Sequence, residues 1–455
     1  MTFSFRNKKI GLLGLGISNL SLANYLINLN NEVFVSEELP EEKIKNQLQQ
    51  LNPLVKYEVG KHTEKILEND IIIRSPGISL HHPLLQKAFF KKIPVLTELE
   101  VSYQIIKQKL GNSPLIIAIT GTNGKTTTTT LVGEIVSSYR RSFICGNIGK
   151  PLIDFVDEIQ KDDIIVCEVS SYQLEDIIEF KPHIGCILNI TEDHLEHHKN
   201  MQNYIKAKFN MFKNQTENDY AILNYDDKNI IEYQNLVTKS KKLFFSRTSK
   251  LTCGVWLDKE NMEANFVFNS NIKKIKINTT LPGEHNLENI IAAISCCILI
   301  DIPTSNIEKV ISQFKGVEHR LEFVRELDGV VYINDSKSTN VDSTLVALKS
   351  FNGNIHLILG GRHKGAPYTP LIPFIKQKVK SLLLIGEATD IIFEQLKDIK
   401  VPIFKCGTLE NAIKKAKEIA QKGDIVLLSP ACSSFDQFKN FEHRGKEFKK
   451  IVNKL

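Results

Sequence analysis

The chain has 455 residues, room for two to four domains that each bury a core, and its 42% hydrophobic and 24% charged residues exclude a disordered or fibrous protein. The formal net charge of +6 is spread as lysines interleaved with acids, so a solvated lysine-rich surface is expected and a nucleic-acid-binding stripe is not. Eight cysteines, none in CxxC spacing, exclude a zinc ribbon or dense disulfide framework; without a signal-like start or an apolar run near the roughly 18 residues of a membrane span, a cytoplasmic protein with reduced thiols and no membrane partner is expected.

Taken in chain order, "KKIGLLGLG" (8–16) reads as a strand entering a glycine turn and "ISNLSLANYLINL" as the helix after it. "NEVFVSE" and "NDIIIRSPGI" read as further strands, the βαβ rhythm of a parallel sheet. "SPLIIAIT" at 113–120 opens a second series, continued by the buried strands "DDIIVCEVSS" and "IGCILNI". Between about 240 and 280, "KKLFFSR", "CGVWLD", "ANFVFNS" and "KKIKINTT" alternate apolar and polar residues, which predicts a small, mostly antiparallel patch. "GVVYINDS", "IHLILGG", "SLLLIGE", "VPIFKCG" and "DIVLLSP" form a third α/β series. The chain is therefore expected to be α/β with three domains: a Rossmann-like domain over 1–107, a P-loop ATPase-like domain with the antiparallel patch over 108–316, and a second Rossmann-like domain over 317–455.

Chemistry concentrates at strand ends. The turn Gly14 to Asn19 resembles GxGxxG with Asn19 at the third glycine, an imperfect match that suits either a diphosphate site or a tight strand–helix junction. Ser75, Pro76 and Gly77 end another strand. "TGTNGKT" at 120–126 is the stronger signal. Gly121 and Gly124 let the backbone approach an anion, Lys125 can reach outer phosphates, and the Thr126 hydroxyl can ligate magnesium. Ile119 stands where the common GxxxxGK(S/T) loop has its first glycine, and Thr128 to Thr130 have no task beyond packing or capping.

Glu168 ends a strand near this loop, where a carboxylate can bind magnesium or be merely solvated. Asp193 and His194 end another. Lys206 and Lys208 lie on an apparent helix, where spacing alone favours solvated lysines. His285, Asn286 and Asn289 begin a long apolar helix, so capping competes with binding for the asparagines. His319 and Arg320, then Asp335 and Lys337, Lys364, and "SPACSSFDQFKNFEHRG" (429–445) follow; three such loops at strand C-termini in one domain suggest one ligand cleft.

TGTNGKT, E-x-SSYQLE, LNxTEDH, HNxxN, EHR, NDSKSTN, LGGxxKG and SPACxSxDQFxNFExRG occur in this order. Together they resemble the Mur ligase family over nearly the whole chain. The last motif resembles the member that adds D-glutamate; the DNPR and GKGHE elements of the diaminopimelate-adding member are absent. The resemblance implies an ATP-dependent amide ligase joining D-glutamate to UDP-N-acetylmuramoyl-L-alanine in peptidoglycan precursor synthesis, and so in cell-wall formation, cell shape and division. It implies a monomer using ATP and magnesium at two sites.

By motif match, Gly121, Thr122, Asn123, Gly124, Lys125, Thr126, Thr127, Asn286, Asn289, Arg320 and Asp335 would bind ATP. Lys125, His194 and Lys208 would be catalytic. Thr126, Glu168, His194 and a carbamylated Lys208 would hold metal. Gly14, Ser75, Pro76, Gly77, Asn147 and Ser170 would face the UDP sugar, and Lys337, Thr339, Lys364, Ser434 and Phe441 the D-glutamate. After the second strand the family has an acid and an arginine near the uracil; this chain has Ser36, Glu37 and Glu38, which leaves the uracil contacts open.

Joining a carboxylate to an amine in water is uphill, so ATP would first convert the carboxylate to an acyl phosphate that the amine then attacks. Rival readings are another Mur ligase or a folylpolyglutamate synthetase, a dinucleotide-dependent oxidoreductase using the Gly14 turn, and a non-catalytic ATP-dependent switch.

Overall fold

A computed structural model describes residues 3–268 and 271–455; Met1, Thr2 and the last two residues of "ANFVFNS" lie outside the described residues. Three sheets follow one another along the chain. The first contains β1 (Lys9–Leu13), β2 (Glu32–Ser36), β3 (Lys56–Glu58), β4 (Ile71–Arg74) and β5 (Val95–Leu96) in the order β3-β2-β1-β4-β5, every pair parallel. Helices cover both faces of such a sheet, so β1 from Ile10 to Leu13 and β4 from Ile71 to Ile73 are apolar runs without alternation. The edge strands β3 and β5 have three and two residues, too few to carry a periodic signal.

The second sheet contains β6 (Leu115–Thr120), β7 (Ser142–Gly146), β8 (Ile164–Glu168), β9 (Ile184–Ile187), β10 (Tyr220–Asn224), β11 (Lys241–Ser246), β12 (Gly254–Asp258), β13 (Glu263–Phe268) and β14 (Asn271–Lys276). Its order is β14-β13-β12-β11-β10-β9-β6-β8-β7. The expected mostly antiparallel patch is present: β12–β13 and β13–β14 are antiparallel, while β11 joins both β10 and β12 in parallel. Alternation reports one exposed face, not strand direction, so it does not reveal the parallel pairs.

The third sheet contains β15 (Glu322–Leu327), β16 (Val330–Asn334), β17 (Ile355–Gly360), β18 (Val379–Ile385), β19 (Ile403–Gly407) and β20 (Ile425–Leu428), in the order β15-β16-β20-β17-β18-β19. All its pairs are parallel except the β15–β16 hairpin.

The chain divides into two compact units, Met1–Asn278 with Asn289–Ser312, and Thr279–Glu288 with Gln313–Leu455. The first unit holds the first two sheets, and the helix Glu98–Leu110 runs across position 107 between them. One apolar cluster is continuous from Ile10 and Leu12 through Leu99 to Ile116 and Ala118. Polar groups reinforce the seam. Arg74, fully buried at the end of β4, binds Asp176 through Nε at 2.7 Å and Nη2 at 2.9 Å. The Glu100 carboxylate accepts from the backbone N–H groups of Ile178, Glu179 and Phe180 at 2.9, 2.7 and 3.0 Å.

Candidate active site

The phosphate-type loop lies between β6 and the helix Lys125–Ser137. Gly124, the residue before the helix, has φ of +84°, and a Cβ there would collide with the Asn289 side chain, so glycine is required twice over. Lys125 Nζ donates to the carbonyls of Gly121 and Thr122, both at 2.8 Å, folded back over the loop. The loop is held from the side by the segment after β9. Thr122 N–H donates to Asn189 O at 2.9 Å, Asn123 N–H to Asn189 Oδ1 at 2.8 Å, and Thr122 Oγ1 to Thr191 O at 3.1 Å. Thr127 is buried in the first turn. Thr128, expected only to pack or cap, donates to Asn289 Oδ1 at 3.3 Å and so ties the loop helix to the helix Glu284–Ile298.

Register brings Glu168 to this loop: it pairs with Ile119, one residue before Thr120. The Glu168 side chain is 2% exposed, and its Oε1 accepts from Asn147 Nδ2 at 2.9 Å. Its Oε2 has no hydrogen-bond partner among the described residues. A buried carboxylate oxygen without a donor beside a phosphate-type loop fits a cation.

Lys208 is 1% exposed and Lys206 is exposed, so burial separates the two lysines that spacing left equal. Lys208 Nζ donates to the same Gly121 carbonyl at 2.9 Å and lies 4.6 Å from the Tyr204 ring centroid. Burial, then the nearby Lys125 charge, holds its ammonium form well below the usual lysine range, while Asp193 and Glu168 oppose the shift. His194 is in the left-handed region at φ of +55°, with Nε2 3.5 Å from Asp193 Oδ2 and its ring packed on Tyr172. Burial lowers its pKa in spite of Asp193 and Glu196.

In the first sheet, Gly14 at φ of +86° sits against Ser75, and a Cβ would clash with the serine side chain. Asn19, at the third glycine's place, donates to the carbonyls of Leu13 and Gly14 at 3.3 and 2.8 Å and closes the turn. Arg74 Nη1 donates to the carbonyls of Pro76 and Ile78, both at 2.9 Å, which fixes the Ser75–Pro76–Gly77 turn. Ser36 Oγ donates to Glu58 Oε1 at 2.7 Å, and Glu37 accepts from the N–H groups of Leu15 and Leu39 at 2.6 and 2.9 Å. The Ser170 hydroxyl caps Ser171–Leu174 in a capping box with Gln173, a signature readable in the sequence as S-x-x-Q.

In the second unit, Asn286 Nδ2 donates to Pro282 O at 2.7 Å. Asp335 is buried and accepts from Leu321 N–H at 3.2 Å and Ser429 Oγ at 2.8 Å; burial raises its pKa although Arg320 opposes the shift. The three motif loops converge as expected, because β16, β20 and β17 are adjacent and parallel. Lys337 Nζ lies 5.8 Å from the Phe441 ring centroid, and Thr339 follows in the same turn. Ser434 is buried after β20 and Lys364 is exposed after β17.

Sequence reasoning missed Arg444. Fully buried, it donates to Ser336 Oγ and Ser336 O, both at 2.9 Å, and to Cys432 O at 3.2 Å, so it locks two of the three loops together. It also missed Asn189. Arg444 lies within the 429–445 motif, but an arginine's burial is not visible in sequence.

Three domain families match in order: MurD N-terminal domain at 9–83, Mur ligase middle domain at 119–297, and the Mur ligase glutamate ligase domain at 319–432. A UDP-N-acetylmuramoylalanine–D-glutamate ligase of Clostridioides difficile (strain 630) is 43% identical over 455 residues, covering 99% of each chain. The chain belongs to the Mur ligase family. Another relative of the same name, from Caldanaerobacter subterraneus subsp. tengcongensis, is 41% identical over 99% of both chains. Among solved Mur ligases, a MurF ligase from Thermotoga maritima in complex with ADP aligns with a TM-score of 0.61 at 16% identity, over 93% of this chain and 95% of that one. A pseudomurein peptide ligase type C from Methanothermus fervidus aligns with a TM-score of 0.60 at 20% identity, over 98% and 100%. This Mur ligase therefore shares its fold with enzymes of divergent sequence.

Proposed function

We propose that this Mur ligase is the ATP-dependent enzyme that adds D-glutamate to UDP-N-acetylmuramoyl-L-alanine in peptidoglycan precursor synthesis. The observation that carries this reading is the end-to-end similarity, at 41–43% identity, to relatives bearing that ligase's name, in a chain whose phosphate-type loop and buried carboxylate follow the C-terminal ends of β6 and β8 and whose buried lysine reaches that loop. The oxidoreductase reading would leave that loop and the three converging loops of the last sheet without a task.

In the proposed reaction the substrate carboxylate oxygen attacks the γ-phosphorus of ATP, the bond to the ADP oxygen breaks, and an acyl phosphate forms. The glutamate nitrogen then attacks the acyl carbon, the tetrahedral adduct expels inorganic phosphate, and the nitrogen's extra proton passes to solvent. Lys125 would leave the carbonyls of Gly121 and Thr122 to meet the transferred phosphate. Gly121, Thr122, Asn123, Gly124, Thr126, Thr127 and Asn289 would line the nucleotide, and the motif match assigns Asn286, Arg320 and Asp335 to ATP binding. Thr126 and Glu168 would hold one magnesium, and His194 with Lys208 the second; bound magnesium would neutralise phosphate charge. Lys208 would serve as a carbamate: its neutral amine attacks CO2, an N–C bond forms and a proton leaves. The burial that disfavours its ammonium form supports this role. Gly14, Ser75, Pro76, Gly77, Asn147 and Ser170 would contact the UDP sugar. Lys337 and Lys364 would pair with the two glutamate carboxylates, beside Thr339, Ser434 and Phe441.

The test is phosphate release from ATP with UDP-N-acetylmuramoyl-L-alanine and a panel of amino acids. Release with D-glutamate alone is expected. Release with L-alanine, L-lysine or diaminopimelate but not D-glutamate would overturn the assignment.

A further inference from the structure

Glu175, His197 and His198 make a cluster that the proposed reaction does not use. One ligand-capable atom from each falls within 4.8 Å of the others. His197 Nε2 is 2.9 Å from Glu175 Oε2, and His198 Nδ1 is 3.0 Å from Glu175 Oε1. The side chains of Glu175, His197 and His198 are 15%, 8% and 1% exposed. Adjacent residues on a helical turn ordinarily diverge. Here one ring presents its far nitrogen and the other its near nitrogen, so both reach one carboxylate. The remaining ring nitrogen of His198, Nε2, is 3.0 Å from Ser171 Oγ, an outer hydrogen bond of the kind that orients metal-bound imidazoles.

Arg74 is the cation that could occupy this carboxylate. Its Nε and Nη2 bind Asp176 at 2.7 and 2.9 Å, Nη2 also reaches Tyr172 O at 2.9 Å, and Nη1 serves two carbonyls. Glu175 Oε2 is only a long 3.3 Å contact of an arginine satisfied elsewhere. A second cluster, Glu318, His319 and Glu322, differs in this respect: Lys449 Nζ bridges its two carboxylates at 3.0 and 2.5 Å and already supplies the cation.

We propose that Glu175, His197 and His198 bind a divalent transition-metal ion of the zinc class. Two imidazoles and a carboxylate are the donors that Zn2+ or Co2+ accepts at about 2.0–2.2 Å, whereas Mg2+ prefers an all-oxygen shell. The two carboxylate–imidazole pairs, at 2.9 and 3.0 Å, need only a small spread to reach the roughly 3.3 Å edge of a tetrahedron at those bond lengths, and all three donors lie within 4.8 Å of one another. The bound ion would pin the end of Ser171–Leu174 to the turn Leu195–His198, just after His194.

The probe is Co2+ titrated into the full-length protein in excess Mg2+, followed by visible absorption. Cys253→Ser is used throughout because Cys253 is an exposed thiol. One equivalent should bind with a d–d band that Zn2+ abolishes. His197→Gln and Glu175→Gln should each weaken binding at least about tenfold, while His194→Ala keeps it. Imidazole NMR signals of His197 and His198 should shift with Zn2+ in the unsubstituted cluster, a readout that needs no variant to fold. Absence of the band, its persistence in both cluster variants, its loss in His194→Ala, or unshifted His197 and His198 signals would each overturn the proposal.

Discussion

Lys206 and Lys208 are two positions apart on one helix, and only Lys208 is buried. Lys208 reaches the Gly121 carbonyl from a fully buried position, where burial disfavours its ammonium form. Lys208→Ala should lower ligase turnover on the order of a thousandfold, the scale of losing an electrostatic group at a reacting centre. Short-chain carboxylates should restore part of it, measured as phosphate release; full activity in the bare variant would sink the carbamate role. In sequence, Lys208 could be singled out only through the family motif, because helical spacing does not report burial. Glu168 is similar: its strand-end position was legible, but its unpartnered oxygen is a tertiary fact.

At the scale of elements, the helix Glu98–Leu110 carries the seam between the first two sheets on two acids. Glu98 is buried, accepting from Ser102 Oγ and Ile153 N–H, both at 2.8 Å, and desolvation pushes its pKa up to about 7 from an ordinary 4.5. The folded protein thus holds a proton there that the unfolded chain has lost. Stability should fall as pH rises from 4.5 to 7, with the full penalty above 7. Glu98→Gln keeps an acceptor and removes the ionisation, so it should stabilise the first unit by about 2 kcal/mol at pH 8 and by little at pH 4.5. Urea unfolding at both pH values checks this; an equal gain at both would show that Glu98 does not ionise there. The elements themselves were largely legible, since buried parallel strands are apolar runs. The short strands β3 and β5, and the parallel pairing of β11 and β12, were not, because direction and edge pairing depend on neighbours distant in sequence.

At the scale of the whole molecule, a split after residue 107 would sever a continuous core and take Asp176 from Arg74 and three backbone donors from Glu100. Limited proteolysis should therefore not release residues 1–107 as a stable fragment. In Arg74→Met, where the buried pair is broken at about 3 kcal/mol, cleavage between the first two sheets should accelerate, read by mass spectrometry over time. Rapid release of an intact 1–107 fragment from the unsubstituted protein would contradict the seam.

The α/β class, the three successive sheets and the motif loops are legible in the chain, because apolar period, turn glycines and strand-end motifs are local properties. Only the closed fold shows which lysine is buried, that one Glu168 oxygen has no donor among the described residues, and that Arg444 locks loops about a hundred residues apart. It also placed the Glu175 carboxylate beside the two histidines. Burial and partnership come from segments that meet only when the sheets close, and no local pattern encodes them.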